Sequence, residues 1–331
     1  MSKGTRLAWS AAVTSSVALA LCLLVFAGCS RDQSPDFPSV VTKTIAVGNM
    51  PFAPCLLPPG RFLYVPNRND NSVSVVDLAA DTVIAIVPVG GHPSFALALQ
   101  DRKRIYVTNM FTSEISVINT STNTVQETIS LPGQPIGICL VPDGQYAYVG
   151  CRDTPMVAVV RTSDNSVVGT VDVGRYPWGL APSPEGDYVY VSCDQSNDIW
   201  VIRTRDNVAV STILVGPVPR GVQVSSEGDL LYVPCRDEDS LVVVSVPDHQ
   251  AVAGVPVGDC PGGVGMLPGG DFVYVTSFHG NDVTVVRTSD NTRVASVDLG
   301  TTSDNLAFQA DGDRVYVTCP ADNSVKVITR E

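Results

Sequence analysis

The chain has 331 residues, of which 21 are basic and 33 acidic, giving a net charge of −12. A field of that sign repels phosphate, so general nucleic-acid binding is excluded and only a local basic patch could hold a polyanion. Val, Ile and Tyr dominate short apolar runs separated by Gly, Asp, Asn and Pro, which excludes a helical repeat.

The first 28 residues carry Lys3 and Arg6, no acid, and an apolar run from Val17 to Ala27. This is the make-up of a signal peptide. Phe26-Ala27-Gly28-Cys29 resembles the lipobox of bacterial lipoproteins, with Phe26 where Leu is usual. The resemblance implies acylation of Cys29 and a membrane anchor without a spanning helix. The alternatives are a plain secretory signal and an uncleaved anchor. Removing residues 1–28 leaves 19 basic against 33 acidic residues, or −14. Residues 29–39, with Pro35 and Pro38, read as a tether, and residues 40–331 as one domain.

A Tyr-Val pair then returns every 42 residues, at Tyr64, Tyr106, Tyr148, Tyr190, Tyr232, Tyr274 and Tyr316. A fixed period in this range means one supersecondary unit stacked on copies of itself. Each unit holds four apolar runs. In the fourth they are Gly179 to Pro182, Tyr188 to Ser192, Ile199 to Ile202 and Val208 to Val215. Turns such as Pro142-Asp143-Gly144 join the first two runs and suit tight hairpins. Continuous stretches such as Leu241-Val242-Val243-Val244 need sheets covered on both faces.

Seven four-stranded units of this kind predict an all-β, seven-bladed propeller. The last unit stops after its third run, Ser324 to Thr329, and a spare run, Val40 to Val47, precedes the first. The spare run is expected to complete the C-terminal blade and close the ring. Pro66 and Pro234 should end their strands, because proline cannot donate to a ladder.

The tetrapeptides Tyr-Val-Pro-Asn (64–67), Tyr-Val-Thr-Asn (106–109) and their five equivalents, with V-G-x-x-P ending at Pro51, Pro93, Pro177, Pro219 and Pro261, resemble the YVTN-repeat β-propeller family. Pro132 replaces the glycine of that mark before Pro135, and Ser303 replaces its proline in the seventh unit. The resemblance implies the fold and leaves function open.

Alternate connections in an antiparallel blade lie at opposite ends, so the V-G-x-x-P loops and those after the tetrapeptide share one face, the upper face. Two rings of variable residues follow. One residue after the proline mark come Phe52, Ser94, Ile136, Trp178, Arg220, Gly262 and Asp304. One residue after the tetrapeptide come Arg68, Met110, Arg152, Asp194, Arg236, Phe278 and Pro320. Arg68, Arg152, Arg236, Arg220 and the nearby Arg175 make an anion or an acidic partner surface the natural ligand, because guanidinium groups contact carboxylate or phosphate bidentately. The competing arrangement pairs them locally with Asp153, Asp194, Asp237 and Glu238. Trp178 is an aromatic anchor or a packing residue between blades. His92 and His279 stand in upper-face loops as candidates for acid–base chemistry or as solvated residues.

Cys151, Cys193, Cys235 and Cys319 share one repeat position. Neighbouring blades separate them by about 10 Å, beyond a disulfide or a shared zinc. They read as small, partly buried stand-ins for the repeat asparagine, while Cys260 is placed to meet Cys235. No nucleophile elbow, P-loop, haem motif or zinc signature appears, so no cofactor, metal or catalytic residue is assigned.

The expectation is a cell-envelope scaffold with a monomeric body, binding a protein, an anionic small molecule or a cell-surface ligand through its upper face. A propeller enzyme of the lactonase or lyase kind, using His92 or His279, is one alternative. A cofactor-free subunit of a periplasmic redox system is another.

Overall fold

Seven four-stranded antiparallel sheets build the body, each drawn from consecutive strands except the last. The computed structural model describes residues 36 to 330, so the leader and Cys29 lie outside the described residues. The fourth blade shows the pattern, with strands Pro177–Pro182, Tyr188–Cys193, Asp198–Arg203 and Val208–Leu214 from channel to rim. Its second strand is buried along nearly its whole length, whereas the rim strand alternates and presents Val208, Val210 and Leu214 to solvent. Coverage on both faces is what the continuous apolar runs required.

Closure follows the sequence expectation. Val40–Ala46 pairs antiparallel with Ser324–Thr329, from Val40 opposite Thr329 to Ala46 opposite Ser324, with a bulge after Val41. Ile45 from this strand enters a core cluster with Leu63, Val65, Val325 and Val327, tying the first blade to the last. Residues 36–39, placed in the tether by composition, dock on the body. Phe37 packs on Phe272 at 4.6 Å between ring centroids, and the Tyr274 hydroxyl donates to the Pro38 carbonyl at 2.8 Å.

The structure gives each repeated letter a task. In the first three blades the tyrosine hydroxyl latches one blade to the next: Tyr64 donates to Asn123 at 2.8 Å, Tyr106 to Asn165 and Tyr148 to Asn207, whereas Tyr316 donates to Gln309 of its own blade at 3.2 Å. Each asparagine acceptor occupies a left-handed turn between the third and fourth strands, a conformation that asparagine tolerates. The third letter bridges inner strands. Thr108 Oγ1 accepts from the Phe95 N–H at 3.0 Å and donates to the Ile136 carbonyl at 2.8 Å. Ser192 and Thr276 make the same bridge to the carbonyls of Arg220 and Asp304.

Where proline takes that third place, the strands behave differently from the sequence expectation. They continue one residue past Pro66 and Pro234, to Asn67 and Cys235. Their innermost neighbours are instead cut short, to Cys55–Leu57 and Gln223–Val224. The missing N–H faces the inner strand, so one ladder bond is lost there, although the Pro66 and Pro234 carbonyls still accept from the Phe52 and Arg220 N–H groups, while Pro66 stays opposite Val73 on the other side.

Candidate functional site

The loops between blades are held in a strained and repeated geometry. Met50, His92, Tyr176, Val218 and Cys260 each precede the proline mark with φ between 53° and 60°. Such left-handed non-glycine residues cost on the order of 1–3 kcal/mol and persist only where neighbours fix them. The neighbours are identifiable here. Their carbonyls accept from the backbone N–H of the second ring, Arg68 to Met50 at 3.0 Å, Asp194 to Tyr176 at 3.0 Å and Arg236 to Val218 at 3.1 Å. Their own N–H groups donate to side chains of the preceding blade, His92 to Asn71 at 2.8 Å and Cys260 to Asp239 at 2.9 Å. Both rings are thereby locked together around the upper mouth of the channel.

A cavity of about 110 Å³ opens at that mouth, lined by Phe52, Trp178, Arg220 and Asp304 of the first ring and Arg68, Arg236 and Phe278 of the second, with Cys260 and Asn305. Below it a larger void of about 560 Å³ runs along the inner strands. Trp178, Gly262, Gly263 and Asn305 border both.

Arg68 is 8% exposed, with its guanidinium carbon 3.2 Å from the centroid of Phe52 and Nη2 donating to Ser94 Oγ at 3.3 Å. Burial lowers its pKa to about 10, opposed by Asp304 and reinforced by Arg152 and Arg220, so it remains a cation at neutral pH. Arg220 lies between the Trp178 ring at 3.8 Å and Asp194 Oδ2 at 3.3 Å. Arg152 approaches the rings of Tyr176 at 4.9 Å and Trp178 at 5.8 Å, and Arg236 Nε donates to Cys260 Sγ at 2.8 Å.

Asp304 is 8% exposed, and burial pushes its carboxyl up to about 7 while Arg68 and Arg220 pull it down. Its Oδ2 has no partner, nor do the Nε atoms of Arg68 and Arg152. Four guanidinium groups thus gather around two carboxylates, one of them kept near neutrality, so cations outnumber anions at the mouth of an acidic protein. Of these atoms only the arginine Nε–H groups are donors that a bound anion would satisfy, and Arg68 lines the cavity; the Asp304 oxygen is an acceptor and opposes an anion when ionised.

Not all candidate residues join this constellation. Arg68, Trp178, Arg220 and Arg236 line the cavity, and Arg152 borders it through Trp178. Arg175 is exposed, with Nη2 reaching only the Gln195 carbonyl at 3.4 Å. His279 is exposed beside Phe278. His92 stacks on Phe111 at 4.4 Å, and burial together with Arg68 and Arg152 holds its pKa near 4. It is neutral at physiological pH and cannot serve as a cation there. Local pairing explains one arginine, since Asp194 binds Arg220. Asp153 accepts instead from the Gln134 N–H at 2.7 Å.

The cysteines depart from expectation. Cys151, Cys193, Cys235 and Cys319 are fully buried rather than partly; over the first three the loop glycine of the same blade packs closely, as Gly133 does on Cys151. Cys260 forms no bridge with Cys235: both are free, and the Cys260 sulfur is engaged by Arg236. Cys260, Phe52 and Asp304 matter more than sequence reasoning singled out. The ring positions pointed to the latter two, whereas nothing in the local sequence marked Cys260 as facing the cavity.

No protein-family model and no curated protein sequence matches the chain. Among solved structures, a chain of the Kuenenia stuttgartiensis hydrazine synthase is similar, with a TM-score of 0.77 and 21% identity over 91% of this chain and 98% of that one. With 1676 solved chains matching, the likeness marks a widely used architecture and shows the propeller fold.

Proposed function

We propose that this chain is an envelope-anchored binding scaffold whose upper channel mouth holds an anionic group, the carboxylate of a small acid or of an acidic side chain. The observation that carries the reading is the convergence of Arg68, Arg152, Arg220 and Arg236 at the mouth beside Trp178, with Asp194 and Asp304 as the acidic groups among them. A cavity of about 110 Å³ is smaller than the roughly 150 Å³ that accepts benzene, which favours a compact ligand or the tip of a longer one. Anchoring through Cys29 is supported by the residues at 26–29, and YVTN-repeat membership by the tetrapeptides and interblade loops. A subunit of a redox enzyme system is the second reading, favoured by the hydrazine synthase neighbour, a likeness confined to fold.

Titration of tryptophan fluorescence with succinate, inorganic phosphate, an acidic peptide and neutral succinamide tests the primary reading. Saturable change is expected with anions, absent with succinamide, and lost in Arg152→Ala/Arg220→Ala. The small acid and the peptide separate the two carboxylate sources. A response that survives in the double variant, or no saturation by any of the anions, would end it.

A further inference from the structure

The seven cysteines among the described residues are all unpaired, yet they are not equivalent. Burial pushes the thiols of Cys55, Cys139, Cys151, Cys235 and Cys319 up to about 12, and that of Cys193 further. Thiols in that state are protonated and inert at neutral pH. The sulfurs of Cys151, Cys193, Cys235 and Cys319 point at backbone carbonyls two residues earlier, at 3.7 to 3.9 Å.

Cys260 stands apart by geometry. It is 5% exposed, and that exposure faces the cavity at the mouth. Its sulfur accepts from Arg236 Nε at 2.8 Å. A guanidinium donor on sulfur is the kind of electropositive contact found at reactive cysteines. The backbone on both sides is clamped, with the N–H on Asp239 and the carbonyl accepting from Phe278 at 3.0 Å, so the sulfur is fixed in place. A second, independent observation concerns the same cavity: Arg68 Nε and Asp304 Oδ2 are unpartnered polar atoms of residues more than nine-tenths buried.

We propose that Cys260 is a reactive thiol at the channel mouth, a covalent modification site for small electrophiles that carry an anionic group, with carboxylate-bearing disulfides as the fitting class. The Cys260 thiolate attacks one sulfur of such a disulfide. A new sulfur–sulfur bond forms to Cys260, the original one breaks, and the departing thiolate takes a proton from water. Arg68 and Arg220 hold the carboxylate of the half that stays. The steering by charge rests on the anion-holding reading above; the reactivity of the thiol does not.

The full chain is alkylated at neutral pH with iodoacetate and, in parallel, with neutral iodoacetamide, and the modified cysteines are mapped by peptide mass spectrometry. A first adduct at Cys260 alone among the seven described cysteines is expected with either reagent, with iodoacetate faster by about tenfold, the low end of electrostatic rate enhancement. Arg236→Gln should slow both reagents, and Arg220→Gln should slow only iodoacetate. Dithiodiglycolate should leave one thioglycolate on Cys260, released by dithiothreitol and absent in Cys260→Ala. If Cys260 reacts no sooner than the other six described thiols, the half-buried Cys55 among them, the proposal falls. Fast reaction at Cys260 with equal rates for the two reagents upholds the thiol and overturns the anion-holding reading.

Discussion

Asp304→Asn isolates the electrostatics of the mouth in one substitution. The carboxyl has an ordinary value of 3.8 and sits near 7 in the fold, raised by burial against the pull of Arg68 and Arg220. Below 3.8 both folded and unfolded chains hold the proton. Between 3.8 and about 7 the unfolded chain releases it and the folded chain keeps it, so this group makes stability fall as pH rises. Above about 7 the loss is complete. At about 1.4 kcal/mol for each tenfold, the interval amounts to about 4 kcal/mol. Asparagine has nearly the same shape and does not ionise. The stability of Asp304→Asn minus that of wild type should therefore grow by about 4 kcal/mol from pH 4 to pH 7.5 and then level off. Urea unfolding of both proteins across that range, at constant ionic strength and with matched m-values, measures the difference directly. A difference that stays flat with pH, or shrinks as pH rises, refutes the reasoning.

Removing residues 40–47 should abolish cooperative folding of the body. Six paired positions, at about 1 kcal/mol per hydrogen bond, and the burial of Ile45, at about 2 kcal/mol, together rival the whole stability of a typical domain. An unchanged melting temperature by circular dichroism would overturn the closure argument. Two glycines give a contrast within one blade. A Cβ on Gly137 would stand 1.9 Å from the Trp178 carbonyl, whereas one on Gly169 meets nothing within 4 Å. Gly137→Ala should cost about 3 kcal/mol through overpacking, and Gly169→Ala should be neutral or stabilising by about 0.5 kcal/mol. Urea midpoints of the two variants check both values, and equal midpoints would contradict the close approach of the inner strands.

The architecture was legible because it repeats. Tyr64 and its six equivalents mark the second strand of every blade, and the blade-four runs differ from the observed strands by at most two residues at any end. The two upper-face rings also followed from register alone, since alternate loops of an antiparallel blade must share an end. What the period could not convey was the behaviour of individual positions. Pro66 and Pro234 shorten the neighbouring strand rather than their own, because which face the absent N–H meets is set by the partner. Arg175 is adjacent in sequence to the cluster but turns to solvent, held only by a carbonyl of its own blade.

The sequence by itself determined the number of blades, the strand that closes the ring and which residues can reach the mouth. These follow from interactions inside one unit or between neighbours, which a 42-residue period encodes locally. Only the tertiary structure decided that Arg220 takes Asp194, that Arg68 stacks on Phe52 beside an Asp304 kept near neutrality, that His92 is uncharged, and that Cys260 meets Arg236 instead of Cys235. Those outcomes depend on side chains from six blades converging across the channel and on how far each is removed from water. Charge and burial at such a point sum over residues as much as 252 positions apart, from Phe52 to Asp304, and no local pattern records that sum.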